Sequence, residues 1–238
     1  MLQIKNINKS YGTFKACLDI DITLRKNQIV GLFGANGAGK STCFHIMTGL
    51  IQPDSGSVFL NEKNITKDPI YQRASSGLSF LPQDKSIFTG MTVEENILSV
   101  LEIMIPSKSK QQKQLDILID RFNLNKVRKT NGNLLSGGER RRTEIARAVA
   151  TSPQFILLDE PFSGVDPISI QEIKRLLADI QAHDQTGILI SDHNVNATLP
   201  ICDYAYIIHQ GKTLAEGTPD ALRTNQAAIQ HYFGKQGV

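Results

Sequence analysis

Eight consecutive residues constrain this chain more than any others: Gly34-Ala35-Asn36-Gly37-Ala38-Gly39-Lys40-Ser41, which fits the phosphate-loop pattern G-x-x-x-x-G-K-[ST]. The pattern needs a strand before it and a helix after it. Ile29-Val30-Gly31-Leu32-Phe33 reads as a buried strand, and residues 40–50 read as a helix closed by the turn cluster Pro53-Asp54-Ser55-Gly56. In that setting the glycines let backbone N–H groups turn inward around phosphate oxygens, and the helix N-terminus favours anionic charge. Lys40 reaches the terminal phosphates, and Ser41 can ligate Mg²⁺.

Elsewhere the hydrophobic periodicity separates three regions. Alternation in residues 2–7 and 18–24 predicts half-exposed antiparallel strands at the start. Residues 93–104, 111–122 and 140–149 carry apolar positions at three- and four-residue spacing, which predicts a helical insert. Two short apolar strands follow, 155–158 and 188–190, separated by an amphipathic helix over 169–182; together they make a βαβ unit of a parallel sheet. No repeat, low-complexity linker or coiled-coil heptad interrupts this order.

Composition removes several alternatives. The chain has 238 residues, 40% of them hydrophobic, enough for one α/β domain or two closely joined lobes. A net charge of +3 is spread among acidic residues, so no polycationic arm for nucleic acid stands out. Cys17, Cys43 and Cys202 are widely spaced and form no zinc motif, so they read as small reduced core residues. The N-terminus lacks an apolar signal region. The longest greasy stretch, residues 97–105, falls far short of the ~20 residues that span a bilayer.

The strand at 155–158 ends in Asp159-Glu160, two carboxylates at the carboxyl edge of a parallel sheet, where α/β folds bind ligands. Beside a phosphate loop, an acid is needed for Mg²⁺ and another to orient or deprotonate water. Asp159 is assigned to the metal and Glu160 to the water. Leu135-Ser136-Gly137-Gly138-Glu139 opens a further helix, an N-capped start that offers a hydroxyl, N–H groups and a positive dipole end to a second anion. Gln83 in Leu81-Pro82-Gln83-Asp84, Ser163-Gly164-Val165-Asp166, and His193 in Ser191-Asp192-His193 complete an ordered series.

This series resembles the nucleotide-binding domains of ABC transporters over residues 2–225. The resemblance implies a P-loop NTPase, RecA-like α/β core with an antiparallel β subdomain and a helical insert. The expected boundaries are a core lobe of 1–83 and 153–238 and a helical subdomain of 84–152. It implies ATP and Mg²⁺ as ligands and a homodimer in which each ATP lies between the phosphate loop of one copy and the signature of the other. In that arrangement Gly34, Asn36, Gly37, Ala38, Gly39, Lys40, Ser41, Thr42 and the partner copy's signature (Ser136, Gly137, Gly138) hold the nucleotide. Tyr11 corresponds to the aromatic that stacks on adenine, and Asp166 contacts the opposite copy. Ser41, Gln83 and Asp159 correspond to the Mg²⁺ positions, and Glu160, His193 and Gln83 to the catalytic ones.

Within the family, the Arg140-Arg141-Arg142 run followed by Glu144-Ile145-Ala146-Arg147, and the continuation Pro167-Ile168-Ser169, are most similar to the lipopolysaccharide-export ATPases. Branched-chain amino-acid importer ATPases are near neighbours. Thr89-Gly90 depart from the basic residues that the export ATPases place after Ser86-Ile87-Phe88. The implied partners are two transmembrane permeases of the LptF/LptG kind, with the chain peripheral at the cytoplasmic face of the inner membrane and touching neither nucleic acid nor lipid itself. A soluble DNA-repair or translation ATPase of this family would need a long coiled-coil insertion or a second cassette. Fewer than a hundred residues separate Lys40 from Ser136, which leaves room for neither. A cassette that binds ATP without hydrolysing it would lack some of Lys40, Ser41, Gln83, Asp159, Glu160 and His193, and all are present. The last dozen residues match nothing usable.

Overall fold

The computed structural model describes residues 1–192 and 195–233. Strands β1 (Leu2–Tyr11) and β2 (Phe14–Leu24) pair antiparallel, turning at Gly12 so that Tyr11 faces Phe14. With β4 (Ser55–Leu60) and β5 (Lys63–Asn64) they form a four-stranded sheet in the order β2-β1-β4-β5.

A second sheet carries the phosphate loop. Its parallel strands are β3 (Ile29–Gly34), β6 (Leu78–Leu81), β7 (Phe155–Leu158), β8 (Gly187–Asp192) and β9 (Tyr204–His209), with β10 (Lys212–Gly217) antiparallel at the edge. The order is β10-β9-β3-β8-β7-β6. Neighbouring strands β3, β8, β7 and β6 therefore end side by side, so the glycine loop, Asp192, the acid pair and Gln83 all leave the same sheet edge. Chain order alone scatters these residues; the crossovers gather them.

Burial alternates along the central strands. Ile29, Phe33, Ile156, Leu158, Ile188 and Ile190 face one apolar cluster, together with α3 (Val93–Met104), α4 (Lys108–Arg121), α5 (Gly137–Val149) and α6 (Pro167–Asp184). Val30, Leu32, Phe155, Leu157 and Leu189 face the other, shared with β1, β2 and α1 (Lys40–Thr48). The period of two in a sheet buried on both faces explains why these strands read as continuous apolar runs.

The helix after the phosphate loop stops two residues earlier than its sequence pattern predicts. Gly49 adopts φ 82°, and a Cβ there would meet Arg73 Nε at 2.8 Å. Arg73, on α2 (Ile70–Ser75), is 1% exposed and donates to the carbonyls of Ile46 at 2.7 Å and Met47 at 2.8 Å. A buried cation thus satisfies the orphan acceptors at the negative end of α1. All three cysteines are free and buried, with the sulfurs of Cys17 and Cys43 3.7 Å apart behind the loop. Among the described residues no helix is long and apolar enough to cross a membrane.

Candidate nucleotide site

The phosphate loop is held by backbone crowding. A side chain on Gly39 (φ 113°) would place its Cβ 2.2 Å from the Ala16 carbonyl oxygen, so β2 presses directly on the loop. From behind, the Gly211 N–H donates to the Ala38 carbonyl at 3.1 Å. Lys40 folds over the loop: Nζ donates to the carbonyls of Gly34 at 2.7 Å and Ala35 at 3.1 Å. Burial pushes the ammonium below the usual lysine range, while the carboxylates of Glu160, Asp159 and Asp192 pull it back. The result is a desolvated cation poised for anions.

Asn36, Gly37, Gly39, Lys40, Ser41, Thr42, Gln83 and Glu160 line one cavity of about 310 Å³, and Phe14 joins them. Gly34 and Ala38 lie beneath it as loop framework. Tyr11 is not in its lining; the ring is 45% exposed with Lys9 Nζ 5.7 Å from its centroid, and the aromatic wall of the cavity is Phe14, across the hairpin from it. Phe14 carries no signal in the sequence, because an aromatic at a strand end reads as ordinary packing.

Beneath the cavity, Asp159 and Glu160 are 3% and 6% exposed. Glu160 sits at φ 49°, a left-handed conformation that costs a non-glycine residue about 1–2 kcal/mol. Hydrogen bonds fix it from three sides. Its N–H donates to Ser191 Oγ at 3.0 Å, its carbonyl accepts from Arg141 Nη2 at 3.0 Å, and its Oε2 accepts from Gln83 Nε2 at 2.7 Å. The Ser191 hydroxyl in turn donates a hydrogen bond to Asp159 Oδ1 at 2.5 Å, so one hydroxyl orders both acids. Arg141 also donates to the Pro161 carbonyl at 2.8 Å and pairs with Glu144 at 2.9 Å.

The signature lies elsewhere on the surface. Ser136 caps α5: its Oγ accepts from the Glu139 N–H at 3.3 Å and donates to Glu139 Oε2 at 2.7 Å. Donation to the Glu139 carboxylate from the Ser136 hydroxyl, and from the Ser136 N–H at 2.9 Å, keeps that carboxyl below its usual range. Gly137 and Gly138 permit close packing, since a Cβ at 137 would lie 2.6 Å from the Gly164 carbonyl oxygen and one at 138 would lie 2.2 Å from Ser169 Oγ. Gly137 borders a second cavity of about 590 Å³ that it shares with Gln83, Arg141, Glu144 and Gly164. Asp166 is the N-cap of α6, accepting from the Ser169 N–H at 3.0 Å. Ser136, Gly137, Gly138 and Asp166 line no part of the phosphate-loop cavity. His193 falls outside the described residues.

A phosphate loop and two acids at one sheet edge, with a capped signature helix carried apart, make up the layout of an ATP-binding cassette. Residues 17–163 match the ABC transporter family, and the chain belongs to that family; its cassettes are ATPases coupled to transport, as this chain is. The chain is similar to the lipopolysaccharide export system ATP-binding protein LptB of Acidithiobacillus ferridurans, 46% identical, with 99% of this chain and 98% of the relative covered. The LptB of Haemophilus influenzae is 45% identical over the same shares, 99% and 98%. A solved nucleotide-free cassette from an ABC transporter is 26% identical with a TM-score of 0.86, covering 99% of each chain.

Proposed function

We propose that this chain is the ATPase of a lipopolysaccharide exporter, a homodimer of cassettes at the cytoplasmic face of the inner membrane beneath two permeases of the LptF/LptG kind. The observation that carries the cargo is the likeness to LptB along nearly the whole chain; it favours export over branched-chain amino-acid import. Mg²⁺ suits the donor set of Ser41, Gln83 and Asp159. Among the described residues no three His, Cys, Asp or Glu cluster as an all-protein metal cage, and Mg²⁺ prefers one or two carboxylates together with phosphate oxygens and water. With Mg²⁺ bound, charge on the terminal phosphates would be neutralised for attack.

In this reading the core lobe, 1–83 and 153–238, supplies Lys40, Asp159 and Glu160. The helical subdomain, 84–152, presents Ser136 to the nucleotide of the other copy. The Ser136 hydroxyl is already engaged by Glu139, so a phosphate must compete for it. Closure of two copies on two nucleotides then has differential contacts to draw on, because each ATP touches both chains only when they meet. The resemblance to the family assigns His193 to the γ-phosphate and the attacking water.

Purification of the complex in mild detergent tests the cargo. Co-purifying permeases with large β-jellyroll loops, and ATPase activity coupled to lipopolysaccharide release, are the expected outcome; compact permeases would mean import instead. Phe88 is expected to serve that assembly. The ring is 49% exposed and lies under the Arg147 guanidinium at 4.6 Å, while Asn96 holds the backbone of Phe88 on both sides, at 2.9 Å and 3.0 Å. The loop is therefore fixed without the ring. Phe88→Ala should leave the melting temperature and ATPase rate of the isolated chain near normal and weaken permease capture, as loss of an aromatic interface anchor does. Equal loss of stability and capture would reduce Phe88 to packing.

A further inference from the structure

The segment that the sequence leaves unread returns to the nucleotide site. After α7 (Pro219–Thr224), the side chain of Asn225 caps the short α8 (Gln226–Ala228), accepting from the Ala228 N–H at 3.0 Å. A wide turn, Ile229–Phe233, then sets the His231 ring 5.5 Å from that of His209, at the end of β9, and packs Tyr232 against the apolar core. The Tyr232 hydroxyl accepts a hydrogen bond from the Gly34 N–H at 3.0 Å, across 198 residues of sequence.

Gly34 is the last residue of β3 and the first of the phosphate loop. The β8 ladder beside it ends one residue earlier, at Phe33 and Asp192. No side chain can brace Gly34 from within, because a Cβ there would meet the Ile208 carbonyl oxygen at 2.4 Å. Its carbonyl receives Lys40 Nζ at 2.7 Å. Burial raises the Tyr232 pKa most, the Gly34 N–H opposes this, and the Asp192 carboxylate adds to it, so the hydroxyl keeps its proton at neutral pH.

We infer that Tyr232 is a positioning residue of the nucleotide site: its hydroxyl, docked by the C-terminal turn, fixes the first peptide of the phosphate loop before ATP arrives. A loop held in its bound shape loses less entropy on binding. The phosphates occupy the loop in the ground state and the transition state alike, so the effect belongs in KM and not in kcat. The inference rests on the reading of Gly34 to Ser41 as the nucleotide site.

Tyr232→Phe removes the hydroxyl and keeps the ring. In the full-length chain, KM for MgATP and the calorimetric Kd for MgADP should each rise by about three- to tenfold, the worth of one neutral hydrogen bond, with kcat within about twofold. The melting temperature should stay within about 2 °C of wild type. Tyr232→Ala should show the same loss of affinity together with a lower melting temperature. An unchanged KM and Kd in Tyr232→Phe would overturn the inference, whatever happens to stability, as would a fall in kcat alone. Wild-type protein that fails to bind MgADP would instead overturn the reading of the loop itself.

Discussion

Glu160→Gln should lower ATP turnover by about 10²–10⁴-fold, the usual contribution of a positioned acid–base group, with ATP affinity nearly intact. The substitution preserves the geometry around the site. The strained backbone at φ 49° is held by Ser191 and Arg141 through main-chain atoms, and a glutamine amide oxygen can still accept from Gln83 Nε2 in place of Oε2. What disappears is the carboxylate. Uncleaved ATP should then hold two copies closed, so the variant runs as a dimer on gel filtration with ATP and as a monomer without it. Adding Ser136→Arg should undo the dimer by crowding the shared phosphate site. Because that change also removes a helix cap worth about 1 kcal/mol, folding is checked by melting temperature first. Wild-type turnover in the single variant, or ATP-dependent dimers in a folded double variant, would sink the assignment.

Lys40→Ala should weaken MgATP binding by on the order of a hundredfold or more, because the terminal phosphates lose charge-assisted hydrogen bonds from a desolvated ammonium. The side chain is 5% exposed and bonded to two loop carbonyls, so its desolvation is already complete in the folded chain. Two readouts follow. Titration calorimetry should show the loss directly, and the rise in melting temperature that MgATP gives the wild type should vanish, since only binding to the folded state produces it. An unchanged titration would show that the loop amides alone hold the nucleotide.

Local patterns carried much of this fold. The strands at 155–158 and 188–190, the helices over 93–104 and 169–182, and the glycine loop were readable because each is a periodic run with its own stops. β4, β5 and β6 are too short or too mixed to declare themselves; β9 and β10 form a local hairpin, and the place of that hairpin in the sheet is set by the pairing of β9 with the distant β3. The candidate site divides in the same way. Lys40, Ser41, Gln83 and Glu160 stand in recognisable strings and converge on one cavity. Arg141 was legible only as part of a basic run; that its guanidinium turns back onto the carbonyls of residues 159–161 is a tertiary fact. Ser191 and Tyr232 act through hydrogen bonds to remote residues, and no spacing in the sequence announces such bonds.

The concealment of the three thiols makes the native chain a quiet background for chemical labelling. Cys17, Cys43 and Cys202 are 1%, 0% and 6% exposed, and buried thiols meet alkylating reagents slowly. A single cysteine introduced at Leu134, 73% exposed and two residues ahead of the signature serine, would be the preferred target for a spin label or fluorophore without first stripping out the native sulfurs. Distances between such labels on two copies would follow the approach and separation of the cassettes through a turnover cycle, in a protein whose phosphate-loop packing is left untouched.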